Sequence, residues 1–559
     1  MKQYLKKLIA LLCVATMLVG CGQSGSNGAA ENEHVDNSVS QGSKEFADAT
    51  VIKLTDEMIT VDGSEISNET DNAVYAANDI VFYLEGQDFT YGEGEEGDAH
   101  SQEEADSHTV VHITKPGTYA VSGRLSAGQI AIDLGKDAKD DKDAVVTLIL
   151  NGVDINCSVA PAVIFYNVYE CGSSDADEAV KDVDTTAAGA DVVIADGTVN
   201  NISGAYVARI YKTESVELNE DGTEVLDAKK LHKYDAAFYS KMSMNVNGDE
   251  EGTGVLNINA SNEGLDSELH LTINGGTINI VSGNDGINTN EDGVSVTTVN
   301  GGTLKIRVSG ETKEGDGIDS NGWLVINGGT VIAEACGFSA DAGIDSDMGI
   351  HINGGTVIAT GNMLDHISES TQNFAVFQFA SSQKGGETYI LKNEAGKEVF
   401  RYAPENSFTY FIISSAELTA GTYSLWMGET QLQAASGGAM RGFGNFGGPM
   451  SGNMEPPEGM ERPKDMETPE AGQLPEGMYR PENGEMPDLQ LPEGIERPDE
   501  MGRPVEGDVP FGAESGNQFP GNVPGNMGGM PGNAELSTVI VIVDGGNYFT
   551  SVSTVNELK

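Results

Sequence analysis

Four short stretches of this 559-residue chain carry oxygen-bearing side chains in the same order. They read "NEGLDSE" from Asn262, "NDGINTN" from Asn284, "GDGIDSN" from Gly315 and "DAGIDSD" from Asp341. Aligned on Gly264, Gly286, Gly317 and Gly343, each continues with an apolar residue (Leu265, Ile287, Ile318, Ile344). Asp266, Asn288, Asp319 and Asp345 come next, and two positions on stand Glu268, Asn290, Asn321 and Asp347. Asp285 and Asp316 precede their glycines, and Asp341 opens the fourth stretch. Hard divalent cations take about six to eight oxygen ligands at about 2.3–2.6 Å. An all-oxygen donor set points to Ca2+. The eight histidines are scattered and there is no Cys-X-X-Cys pair, which argues against zinc. The candidate metal ligands are Asp266, Asp285, Asn288, Asp316, Asp319, Asp341, Asp345 and Asp347. The competing reading is Asn/Asp/Gly corners whose side chains are merely solvated.

Something must hold these stretches in register, and the sequence between them supplies it. Asn-Gly-Gly-Thr recurs at Asn274, Asn300, Asn327 and Asn353, at intervals of 26, 27 and 26 residues. A fixed period of this size marks a repeat architecture. One residue past each Thr stand Ile278, Leu304, Val331 and Val357, and two further on stand Ile280, Ile306, Ala333 and Ala359. These apolar columns are predicted to face inward. The mixed column between them (Asn279, Lys305, Ile332, Ile358) is predicted to face outward, as is the Asp266 column. Period two within each coil and like columns between coils predict an all-β fold, a right-handed parallel β-helix (β-solenoid) with flanking antiparallel strands. The Gly and Asn residues are read as positive-φ corners.

The formal net charge is −56, and three N-terminal lysines leave 28 − 87 = −59 for the remainder. Such a chain is a poor nucleic-acid binder and attracts cations. "MKQYLKKLIALLCVATMLVGC" has a basic start and then an apolar run, the layout of an export signal. "LVGC" resembles the bacterial lipobox, which implies cleavage before Cys21 and a lipid on its sulfur. The expected organisation is a signal peptide over 1–20, a tether over 21–46 and a binding domain over 47–436. A disordered Gly/Pro/Met/Glu-rich insertion over 437–534 follows. Residues 535–559 are expected to return to the domain as a strand partnering "GTYSLWMG". The implied location is the outer face of a bacterial membrane, held by the lipid alone, with a monomer as the expected state. Cys157 and Cys171 stand as either a bridge or two free thiols.

"HITKPGTYAVSGRL", "LILNGVDIN", "ADGTVNNI", the "NGGT…DGI" units and "SSAELTAGTYSLWMG" occur in that order over about residues 50–430. Together they resemble the bacterial carbohydrate-binding β-helix family formerly catalogued as a domain of unknown function. The resemblance implies a right-handed parallel β-helix, bound calcium, and binding of plant cell-wall polysaccharide, both acidic pectin-type and cellulose-type. Two other functions compete: a calcium-dependent polysaccharide lyase and a structural surface adhesin. A lyase needs a basic group beside its metal. Lys305 and Arg307 are the candidates, or else a solubilising pair. Trp323, predicted to face outward, is the candidate sugar-stacking residue. Substrate-binding candidates are therefore Trp323, Lys305 and Arg307, with no catalytic residue assigned.

Overall fold

The computed structural model describes residues 46, 48–368, 370–437 and 535–555. The signal segment, Cys21, the tether up to residue 45 and the insertion from residue 438 lie outside the described residues. Within them the chain is all-β, in large mixed sheets that do not close. The one α-helix among them, Gln102–Asp106, is a single capped turn, and no described helix is long and apolar enough to cross a membrane.

Three parallel ladders carry the repeats. The first runs from the start of Val146–Cys157 through Ala190–Ile194, Met244–Gly248, His270–Ile273, Val296–Val299 and Trp323–Ile326 to Gly349–Ile352. The second runs from the end of Val146–Cys157 through Val199–Gly204, Val255–Ala260, Thr277–Ser282, Thr303–Val308 and Thr330–Glu334 to Thr356–Gly361. The third links Thr109–Ile113, Gly128–Asp133, Val163–Asn167, Ala236–Ser240, Glu263–Ser267, Ile287–Thr289 and Ile318–Ser320.

Both apolar columns of the second ladder face one continuous core, and all eight of their side chains are buried. In the column between them Lys305 is exposed and Asn279 half-buried. Ile358 departs from its outward reading: it is buried. Thr356–Gly361 takes Phe408–Ser414 as an antiparallel neighbour, ending the parallel stack. A second apolar cluster, with Phe377, Phe411 and Phe549, then covers Ile358 and reaches Ile332. Ile540–Ile542 pairs antiparallel with Gly421–Met427. Gly546–Thr554 lies between Phe374–Gln383 and Thr430–Gly437. The charged stretch around 207–234 folds back as antiparallel pairs outside the ladders. Cys157 and Cys171 are free thiols, Cys157 buried and Cys171 half-buried, so the bridge reading is corrected.

The glycines divide into two roles. Gly276, Gly302, Gly329 and Gly355, the second glycines of the repeats, have φ between 76° and 81°, as corners require. Gly264, Gly286, Gly317 and Gly343 do not; they are needed because coils approach too closely for a Cβ. One on Gly317 would lie 2.3 Å from the Gly343 carbonyl oxygen and 2.9 Å from the Ala333 Cβ. The asparagines are corrected too: none has positive φ among the described residues. Instead each repeat Asn donates its amide to the one before, from Asn353 to Asn327, Asn300, Asn274 and Asn247, at 2.9–3.0 Å. A shorter ladder joins Asn279, Asn257 and Asn201. Stacked amides satisfy both donor and acceptor only when neighbouring coils stay in register.

Gly317→Ala should therefore lower stability by about 1–3 kcal/mol, the usual cost of overpacking. Gly97→Ala, with nothing within 4 Å of its added Cβ, should be near neutral. Thermal denaturation of both variants checks the difference.

Candidate metal centre

The third ladder sets Phe238, Leu265, Ile287 and Ile318 side by side, all fully buried. The next residues, Tyr239, Asp266, Asn288 and Asp319, are then forced into one column. Asp345 extends it: Ile318 donates its N–H to Gly343 at 3.2 Å, and Asp345 donates to Ile318 at 2.7 Å. The column was predicted to face outward. The structure corrects this, because Asp266 is fully buried, Asn288 is buried, and Asp319 and Asp345 are half-buried.

Two groups of three carboxylates result, each with ligand atoms within 4.8 Å of one another. The first is Asp235, Glu263 and Asp266, all buried. Lys233 lies 2.7 Å from Asp235. Asn290 donates to both oxygens of Asp266, at 2.9 and 3.1 Å. Nevertheless Glu263 Oε2 and the neighbouring Asn288 Oδ1 are buried without a hydrogen-bond partner. Burial, followed by the Asp266 charge, holds the Glu263 carboxyl well above its usual range. Burial and then the Asp235 charge do the same for Asp266.

The second group is Asp316, Asp319 and Asp345. No Lys or Arg among the described residues pairs with any of them. Burial and then the Asp345 and Asp285 charges push the Asp316 carboxyl up to about 10. Burial and then Asp365 and Asp319 raise Asp345 to about 8. Burial and then Asp285 raise Asp319 to about 7. Asp345 Oδ1 is buried and unpartnered. Asp285 adjoins the group, raised to about 7 by burial, and accepts the Asp316 N–H at 2.6 Å. Asp341 accepts the Gly315 N–H at 2.8 Å, so it shapes the loop that carries Asp316. Asp347 stands at the margin with its side chain largely exposed; partial desolvation and then the Asp292 charge raise its carboxyl.

Buried polar atoms are almost always satisfied, and like charges repel strongly in a poorly screened interior. Orphaned oxygens in a nearly all-oxygen set meet what a hard divalent cation requires, so the residues fit calcium. Asp235 and Glu263 were missed by the sequence reading. Glu263 occupies the column of Asp285 and Asp316, before the glycine, so its signal was present. Asp235 sits at the end of the charged excursion, and only register shows that "DAAFYS" matches "NEGLDS".

The structure does not bring the predicted sugar-contact residues to these carboxylates. Lys305 and Arg307 lie on the second ladder, with Arg307 Nε 3.2 Å from Glu405. Trp323 is half-buried and heads a strand of the first ladder, beside Val296 and Gly349.

Residues 107–390, just over half of the chain and the part that holds both groups, match the family described as carbohydrate-binding domain-containing protein. The chain belongs to this family. A carbohydrate-binding domain-containing protein of Acetivibrio thermocellus is 30% identical over 176 residues. That alignment covers 31% of this chain and 46% of the relative, so the chain spans about half of the relative's length. A solved polysaccharide lyase-like protein from C. thermocellum, a gadolinium derivative, is 19% identical with a TM-score of 0.29. It covers 58% of this chain and 90% of its own. Membership in the carbohydrate-binding family accounts for neither carboxylate group by itself; their geometry does.

The raised carboxyls fix the sign of a pH effect. Their ordinary value is 3.8, so between that and about 7 to 8 the native state binds more protons than the unfolded chain. Stability therefore falls as pH rises through that window. In excess chelator the melting temperature should be higher at pH 5 than at pH 8. Added calcium should recover the loss at pH 8 and change little at pH 5. A chelated protein that melts at the same temperature at both pH values would contradict the assignment.

Proposed function

We propose that this protein is an exported, lipid-anchored, calcium-binding member of its family. In this reading it holds plant cell-wall polysaccharide, acidic pectin-type and cellulose-type, at the bacterial surface without cleaving it. The observation that carries the proposal is the Asp316, Asp319 and Asp345 group, which gathers three carboxylates with no cation of the protein's own. The three parallel ladders, linked strand by strand in the same cyclic order, support a right-handed parallel β-helix as the scaffold.

Asp316, Asp319 and Asp345, with Asp285 beside them, would hold one ion. Asp235, Glu263, Asp266 and Asn288 would hold another. Bound calcium supplies a positive charge to which sugar carboxylates are attracted, and it offsets the long-range repulsion from a surface of net charge near −59. The chain's own residues fix the oxygens: Ala342 donates its N–H to Asp316 and Ser346 donates to Asp365 at 3.1 Å. The non-cleaving reading is supported by the placement of Lys305 and Arg307 on a different ladder from the carboxylates. Lys313, exposed in the loop before Asp316 with φ of 74°, is the basic residue that keeps a lyase as the second reading.

Insoluble polygalacturonate should retain the protein in calcium and release it in chelator. The Asp316→Asn, Asp319→Asn double variant should lose that retention by about tenfold, or about 1.4 kcal/mol. Absorbance of unsaturated uronate should stay flat; steady product formation abolished by Lys313→Ala would establish the lyase instead. Cys21→Ser should move the protein from the membrane fraction to the soluble one.

A further inference from the structure

Away from the carboxylates, a groove of about 470 Å³ runs along the second ladder. Its floor is one register column, Asn156, Ser203, Asn259 and Val281, contributed by four successive strands. Ser261 and Ser309 stand at its rim, and Tyr206 at its side donates its hydroxyl to Asp98. The strands are spaced at about 4.8 Å, so the groove follows the stack for roughly 19 Å from Asn156 to Ser309.

Two features separate this column from an ordinary solvated face. Its neighbours two residues back on the same strands, Asn201, Asn257 and Asn279, are tied to one another in an amide ladder. Ser203, Asn259, Ser261 and Ser309 make no side-chain hydrogen bond to any described residue, which leaves a row of hydroxyls and an amide for a ligand. The lining is also chemically selective. Asp98 and Glu311 supply its carboxyl groups and no Lys or Arg lines it. Burial lowers the pKa of the lining His100, which favours its uncharged form. A uronate chain would meet only like charge here. A neutral chain would find hydroxyl or amide partners from Ser203, Asn259, Ser261 and Ser309, an apolar contact at Val281 and the Tyr206 ring at the side.

We propose that this groove binds a linear neutral polysaccharide lying along the stack, so that successive sugar units meet successive coils. The inference rests on the polysaccharide-binding reading above and assigns the neutral polymer a site apart from the calcium sites. It is tested by retention on insoluble β-glucan, with polygalacturonate plus calcium in parallel. Asn259→Trp fills the groove from an exposed strand position, and Tyr206→Ala removes the ring. Each should weaken retention on neutral glucan by about tenfold or more. Both should leave calcium-dependent retention on polygalacturonate and the melting temperature near wild type. Should Asn259→Trp fail to fold, Tyr206→Ala decides. Neutral-glucan retention within twofold of wild type in the folded variants overturns the groove. So does a wild-type protein that holds polygalacturonate but no neutral glucan, an outcome that leaves the calcium reading standing. A wild-type protein that holds neither polymer removes the reading on which the groove depends.

Discussion

Stacking in register places each side chain about one strand spacing from its counterpart in the next coil, about 4.8 Å away. Every column must therefore be compatible with itself. Apolar columns meet the condition without effort, and Ile278, Leu304, Val331 and Val357 merge into a single core. Asparagine columns meet it because an amide both donates and accepts. The glycine column at 264, 286, 317 and 343 meets it by having no side chain at the place where coils come closest. Carboxylate columns alone fail it, since each added coil adds like charge in a site that burial shields from water.

The structure answers that failure unevenly. Asn288 interrupts the Asp266 column, and Lys233 sits at one end of the first group. Around Asp316, Asp319 and Asp345 nothing comparable intervenes among the described residues, and the carboxyls are raised to about 10, 7 and 8. A scaffold that keeps such a group assembled at neutral pH either holds protons there or holds a cation. The stacked amides and the second apolar cluster at the C-terminal end make retreat by separating the coils costly. The site's charge and the scaffold's rigidity are thus consequences of the same repeat.

Polar columns on the outside resolve the condition differently again. Asn201, Asn257 and Asn279 satisfy one another, while Ser203 and Asn259, two residues on, remain open to a ligand. Two lines of opposite character follow from one repeat: a covered line of carboxylates on the third ladder and an open line of hydroxyls and amides on the second.

The repeat made much of this legible from the residues alone. Period two and like columns identified the inward residues of the second ladder, and the recurrent Asp column with the acidic residue before the glycine picked out Asp319, Asp345 and Asp316, which the structure gathers, while Asp266 falls in a separate group. These are local and periodic properties, which a sequence states directly. Burial is neither. The Asp266 column alternates as an outward face should, yet Asp266 and Asn288 are buried, and Ile358 alternates outward yet is covered by strands that follow it in the chain. Asp235 joins Glu263 only because an excursion of more than twenty residues closes on itself and returns to register. Arg307 meets Glu405 across nearly a hundred residues. Which columns are covered, and which distant segment covers them, depends on contacts between parts of the chain that share no period, so tertiary structure alone decided it.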